Sequence, residues 1–123
     1  MDKIHSFTDL VAWQKGHKLV LQIYKTSKDF PKDEVFGLIS QIRRAAVSIT
    51  SNIAEGFSRK SPKEKAQFYY MALGSLTETQ NQLLISKDLA YINQHEFQSL
   101  ADNTVELSKL IRGLIKSAST LNT

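Results

Sequence analysis

The sequence contains no cysteine. That excludes disulfide scaffolds, thiolate zinc sites and cysteine nucleophiles, and it fits a reducing compartment. Its two prolines, Pro31 and Pro62, each stand where a helix can begin, so long uninterrupted helices are allowed. No stretch approaches the ~20 consecutive apolar residues of a membrane span, and Met1 to Lys15 lacks the pattern of a secretory leader. A soluble, cytoplasmic chain with no membrane partner is expected. Catalytic signatures are missing as well: there is no phosphate-cradling glycine loop, no His-Glu-x-x-His, no Glu-x-x-His pair of a di-iron bundle and no glycine-flanked serine elbow. The histidines His5, His17 and His95 are far apart in the chain, so no metal and no other cofactor is expected.

What remains is a chain of 123 residues, enough for one domain (1-123) and too short for two independent cores. Its net charge of +4 is uneven. Residues 1 to 65 carry twelve Lys/Arg against seven Asp/Glu, and residues 66 to 123 carry four against five. A basic half of this kind fits a polyanionic partner and serves equally as solubility charge.

Four helical patterns account for the chain, at about 9-28, 32-56, 62-90 and 94-118. In the first, Leu10, Trp13, His17, Val20, Leu21 and Tyr24 recur at spacings of three and four, with Ser6 or Thr8 as cap and Gly16 as a mild weakness. Phe30 before Pro31 stops it. In the second, Val35, Ile39, Ile42, Ala46, Ile49 and Ile53 form a sustained heptad seam. Gln41, Arg44, Ser48, Asn52 and Glu55 form a polar stripe within about 80° on the same helix. Its third face carries Phe36, Val47, Thr50 and Ala54, with Arg43 as its only charge. A helix of ~37 Å so poor in charge needs covering on more than one side, which points to a subunit interface. Ser61-Pro62-Lys63-Glu64 is a capping box for the third helix, whose seam is Ala66, Tyr69, Leu73, Leu76, Gln80 and Leu83. Asn93 caps the fourth, with Phe97, Leu100, Thr104, Leu107, Ile111, Leu114 and Ala118 inside. Short links between such helices imply an all-α, antiparallel up-down-up-down four-helix bundle.

Two basic stretches are the nucleic-acid candidates. Arg59, Lys60, Lys63 and Lys65 cluster at the second helix junction beside a free helix N-terminus, and Lys109, Arg112 and Lys116 lie within about 60° on the fourth helix. Each reads equally as a solvated face. Tyr70, near the junction, is the one aromatic placed to stack on a base. Arg44 and Glu55 are read as structural, holding helix register or subunit contacts with Ser48 and Asn52. Gly56 is read as the helix end.

Gln41-Ile42-Arg43-Arg44-Ala45-Ala46-Val47-Ser48-Ile49 with Asn52-Ile53-Ala54-Glu55-Gly56 closely resembles the signature of the four-helix-bundle proteins encoded in intervening sequences of bacterial 23S ribosomal RNA genes. The likeness extends to Asp9-Leu10-Val11-Ala12-Trp13-Gln14-Lys15, Phe30-Pro31 with Glu34, Gly37-Leu38, and Gly74-Ser75-Leu76 with Glu78. Gly16 and His17 depart from it, standing where many relatives carry an alanine and an acidic residue. The resemblance implies a homopentamer, a barrel with a basic channel or surface. The bundle is also similar to the accessory protein of diversity-generating retroelements, which implies RNA or DNA and a nucleic-acid-processing protein as partners. It offers no catalytic residue. The expectation is therefore a non-enzymatic, homo-oligomeric nucleic-acid-binding accessory protein. The alternative is a protein-protein assembly scaffold without nucleic acid.

Overall fold

Short polar side chains set half of the helix starts. In the computed structural model, which describes residues 4–120, Ser6 accepts a hydrogen bond from the Thr8 amide while Asp9 accepts from the Ser6 amide. That capping box closes a 3-10 turn at Phe7–Asp9, and helix α1 (Val11–Ser27) begins after it at Leu10 without a side-chain cap. The expected first helix is thus a turn followed by a helix. Ser61 caps α3 (Pro62–Asp88) by accepting from the Glu64 amide, and Asn93 caps α4 (Gln94–Thr120) through the Glu96 amide at 2.7 Å.

The second helix departs most from expectation. Lys32–Glu34 forms a separate 3-10 turn, and α2 (Leu38–Ser58) starts six residues later than the sequence pattern suggests, with 21 residues. Glu34 is the cause. One of its carboxylate oxygens accepts the Leu38 amide at 3.1 Å, and the other accepts the Tyr91 hydroxyl at 2.8 Å. An anionic cap suits the positive end of a helix and fixes the start there. Gly37 makes room for it, since a Cβ at that position would lie 2.7 Å from the carboxylate. Val35 consequently leaves the seam and stands exposed.

The helices pack α1 on α2, α2 on α3 and α3 on α4, and α4 closes on α1. Links this short between neighbours make the bundle antiparallel, up-down-up-down. The described residues contain no strand, and none of their helices is long and apolar enough to cross a membrane. Cross-helix bonds fix the level of each helix against the next: Gln22 with Asn103, Ser48 with Ser75, and Gln80 with Thr104.

Ile39, Ile42, Ala46, Ile49 and Ile53 of α2 are buried at the centre, facing Tyr69, Leu76 and Leu83 of α3 and Leu100, Leu107 and Ile111 of α4. Each large side chain of this kind contributes about 1.5–3 kcal/mol on burial. Helix α1 buries a different face from the expected one, with Ala12, Gly16, Leu19, Val20, Ile23 and Ser27 inside and His17, Leu21 and Tyr24 exposed. Gly16 explains the rotation. A Cβ there would sit 2.9 Å from the Thr50 methyl group, so α1 meets α2 through its smallest residues. Leu19 and Ile23 stay inside, while the aromatic side chains stand at the rim, where Trp13 stacks on His17 and Tyr24 lies under the Arg43 guanidinium. The supposed weakness is a contact.

Helix α3 ends at Asp88, two residues before the expected Ala90. Ala90 adopts φ 62, the left-handed conformation that turns the chain toward α4, and the Tyr91 amide then donates to the Ser86 carbonyl at 2.9 Å. Ile92 is buried beneath the turn.

Candidate nucleic-acid interface

The junction between α2 and α3 sorts its four cations into two kinds. Lys65 does not face solvent as a free charge. Its ammonium donates to the Phe57 carbonyl at 2.7 Å and the Gly56 carbonyl at 3.4 Å, over the Phe57 ring. These are carbonyls of the last turn of α2, so Lys65 is a C-terminal cap reaching back from the next helix. Burial lowers its pKa from the usual 10.5. Arg59 is held as well, paired with Glu55 at 3.4 Å and lying on the Phe68 ring, with its Nε buried and without a hydrogen-bond partner. Lys60 and Lys63 are exposed and have no hydrogen-bond or ion-pair partner among the described residues. Spacing alone gave no sign of this division.

Gly56 does not end its helix, which continues to Ser58. It lets the Tyr69 ring lie against α2, because a Cβ there would come within 2.6 Å of the ring. This contact sets the height at which α3 leaves the junction. Burial raises the pKa of Tyr69 above its ordinary 10.0.

The second basic group comes from the other end of the sequence. Lys109, Arg112 and Lys116 are exposed on α4 and likewise lack partners among the described residues. Because α3 starts where the antiparallel α4 ends, Lys60, Lys63, Arg112 and Lys116 fall in one half of the bundle and Lys109 stands near its middle. The Gln80–Thr104 bond sets the register, and at ~1.5 Å per residue Lys63, Lys116, Arg112 and Lys109 span roughly 20 Å along the axis. Tyr70, 60% exposed, stands on α3 between them.

The polar stripe of α2 is also divided. Ser48 shares a 2.8 Å bond with Ser75 of α3, and Asn52 donates to the Ser48 carbonyl and hydroxyl. The first fixes the α2–α3 register, and the Asn52 bonds stay within α2 and hold the Ser48 hydroxyl in place. Gln41, Arg44 and Glu55 are exposed, and Glu55 pairs with Arg59 rather than with Arg44. The buried, paired charge expected at Arg44 is not formed among the described residues, where Arg44 is exposed. On the third face, Thr50 and Ala54 are half covered, whereas Phe36 is 96% exposed and Val47 38%. No group of three or more His, Cys, Asp or Glu among the described residues is arranged to hold a metal ion.

A family model described as 23S rRNA-intervening sequence protein matches residues 8–113. The chain is similar to a solved structure from Bacteroides thetaiotaomicron VPI-5482, described as a protein of unknown function from the S23 ribosomal protein family. The two are 26% identical with a TM-score of 0.77, over 86% of this chain and 99% of the other. No curated protein matches the sequence.

Proposed function

We propose that this chain, which belongs to the 23S rRNA-intervening sequence protein family, is a cytoplasmic, self-associating four-helix bundle that binds the phosphate backbone of RNA or DNA. The observation that carries the reading is the set of exposed cations without partners among the described residues, Lys60, Lys63, Arg112 and Lys116 in one half of the bundle and Lys109 near its middle. Free cations spaced over roughly 20 Å of helix match a run of phosphates better than a single small anion. Tyr70 among them provides a stacking surface. Self-association supports the same role, because repeating a modest basic patch around an assembly raises its avidity without any new contact. A homopentamer is the assembly implied by the family resemblance. The proposed work is binding and positioning: Glu55 is engaged with Arg59, and Ser48 is spent on its contact with Ser75 of α3.

The test is fluorescence anisotropy of labelled single-stranded RNA and DNA across about 50–200 mM salt. Replacing Lys60, Lys63, Arg112 and Lys116 by alanine is expected to weaken binding to every sequence alike. It should also flatten the log-log salt slope by roughly 3, since each phosphate contact on a single strand contributes ~0.7. Equal affinity in the fourfold variant, or no binding by the parent protein at low salt, refutes the assignment and leaves a protein-binding scaffold.

A further inference from the structure

Helices α3 and α4 leave a groove of about 250 Å³ between them, with apolar walls that include Leu83, Leu84, Phe97, Ala101 and Val105. Its polar lining is Gln80 and Thr104. The Gln80 amide nitrogen donates to the Thr104 hydroxyl at 3.1 Å, and that hydroxyl donates in turn to the Ala101 carbonyl at 2.6 Å. With the hydroxyl hydrogen spent on Ala101, Thr104 can only accept from Gln80, which fixes which end of the amide faces it. Gln80 therefore keeps a carbonyl oxygen and one N–H without partners among the described residues. We propose that this groove receives one unpaired adenine base of a bound single strand, with the Gln80 amide on the edge of the base. The inference rests on the phosphate-binding reading above and names the class of base that the same surface selects.

Three observations select such a base as the occupant. The first is size. A dry cavity of about 150 Å³ holds a benzene molecule, so a groove of about 250 Å³ has room for a two-ring base. A base pair would not fit, and pairing would hide the edge to be read, so the strand is single. The second is the chemistry of the lining. One acceptor and one donor on a single amide, set in an apolar wall, complement the amine and adjacent ring nitrogen of adenine; uracil and thymine offer no amine. The half-buried Phe97 adds aromatic surface for stacking. The third is charge. Lys109 follows Val105 by one helical turn and Arg112 by two, so both stand on the side of α4 that borders the groove. Arg112 lies about 12 Å along the axis from the level of Thr104, at ~1.5 Å per residue. A strand whose phosphates follow Lys116, Arg112 and Lys109 is thereby led to the groove. The carboxylates beside it are engaged within the chain: Asp88 pairs with Lys87 at 3.9 Å, and Asp102 accepts from Gln98 at 2.9 Å.

Fluorescence anisotropy with labelled oligoadenylate and oligouridylate of equal length, at one low salt concentration, tests this. The parent protein is expected to favour the adenylate by roughly 5-fold or more, the low end of what one glutamine–adenine pair gives. Gln80→Leu removes the donor and the acceptor at similar volume, and Ala101→Phe fills the groove without changing charge. Circular dichroism confirms that each variant keeps its helix. Each should lower adenylate affinity to the uridylate level while leaving uridylate affinity and the salt slope unchanged. Equal affinity of the parent for the two strands overturns the inference and leaves the phosphate-binding reading standing. An adenylate preference that survives both variants also overturns it and puts the base on another surface. A parent that binds neither strand overturns both this inference and the reading on which it rests.

Discussion

Replacing Gly56 by alanine tests how closely α3 is held to α2 at the cationic junction. An alanine Cβ there would meet the Tyr69 ring at 2.6 and 2.8 Å and the Lys65 carbonyl oxygen at 3.2 Å. Relief is restricted, because Tyr69 is 4% exposed and a buried ring has no free rotamer to move into. Overpacking of this kind costs about 1–3 kcal/mol, against a gain of up to about 1 kcal/mol from replacing glycine within a helix. The net loss is then about 0.5–2 kcal/mol. For a chain of this length, where 1 kcal/mol shifts Tm by roughly 4 °C, Tm should fall by about 2–8 °C. Gly74→Ala is the control. Nothing lies within 4 Å of its added Cβ, so only the propensity gain remains and Tm should rise by about 4 °C. Thermal unfolding followed by circular dichroism compares the two. If Gly56→Ala were as stabilising as Gly74→Ala, the tight α2–α3 junction, and with it the placement of Lys60 and Lys63, would be wrong.

Other outcomes follow from single contacts. Lys65→Met should lower stability by about 1 kcal/mol through loss of the α2 cap and leave oligonucleotide affinity unchanged, separating it from Lys60 and Lys63; urea melts and anisotropy on the same samples decide. Ala90→Gly, at φ 62, should stabilise the chain by about 1 kcal/mol by removing the Cβ penalty of the left-handed conformation, as read by the urea midpoint at constant slope. The pKa values of Tyr69 and Tyr91 are both raised, Tyr69 by burial and Tyr91 first by its hydrogen bond to Glu34. The folded state therefore keeps these protons longer than the unfolded chain. Their stabilisation is complete below the ordinary tyrosine value of 10.0 and is lost as pH rises through the folded values. Tyr69→Phe should accordingly flatten the fall in stability above about pH 10, measured by urea melts across that range.

The bundle was legible because its signals were local and redundant. Ser61-Pro62 and Asn93 mark helix starts by their own chemistry, and the Ile39 to Ile53 seam repeats without interruption. What stayed hidden depends on partners distant in sequence. The late start of α2 requires Glu34 to find Tyr91, 57 residues away, and an unbroken apolar rhythm through Val35 conceals it. The buried face of α1 was misread because large apolar residues weigh most in a periodicity. Here Gly16 and Ala12 occupy the inside and Leu21 the outside. Lys65 and Lys63 look alike in sequence, yet only the fold turns one toward the carbonyls of α2 and leaves the other free.

The central claim, an assembling bundle that binds nucleic acid, is tested most directly by light scattering coupled to size exclusion, with and without a single-stranded RNA at low salt. The expected result is a mass several times that of the 13.9 kDa chain, increased by bound RNA and returning to the protein-only value at high salt. A 13.9 kDa particle that elutes apart from the RNA under every condition would contradict it.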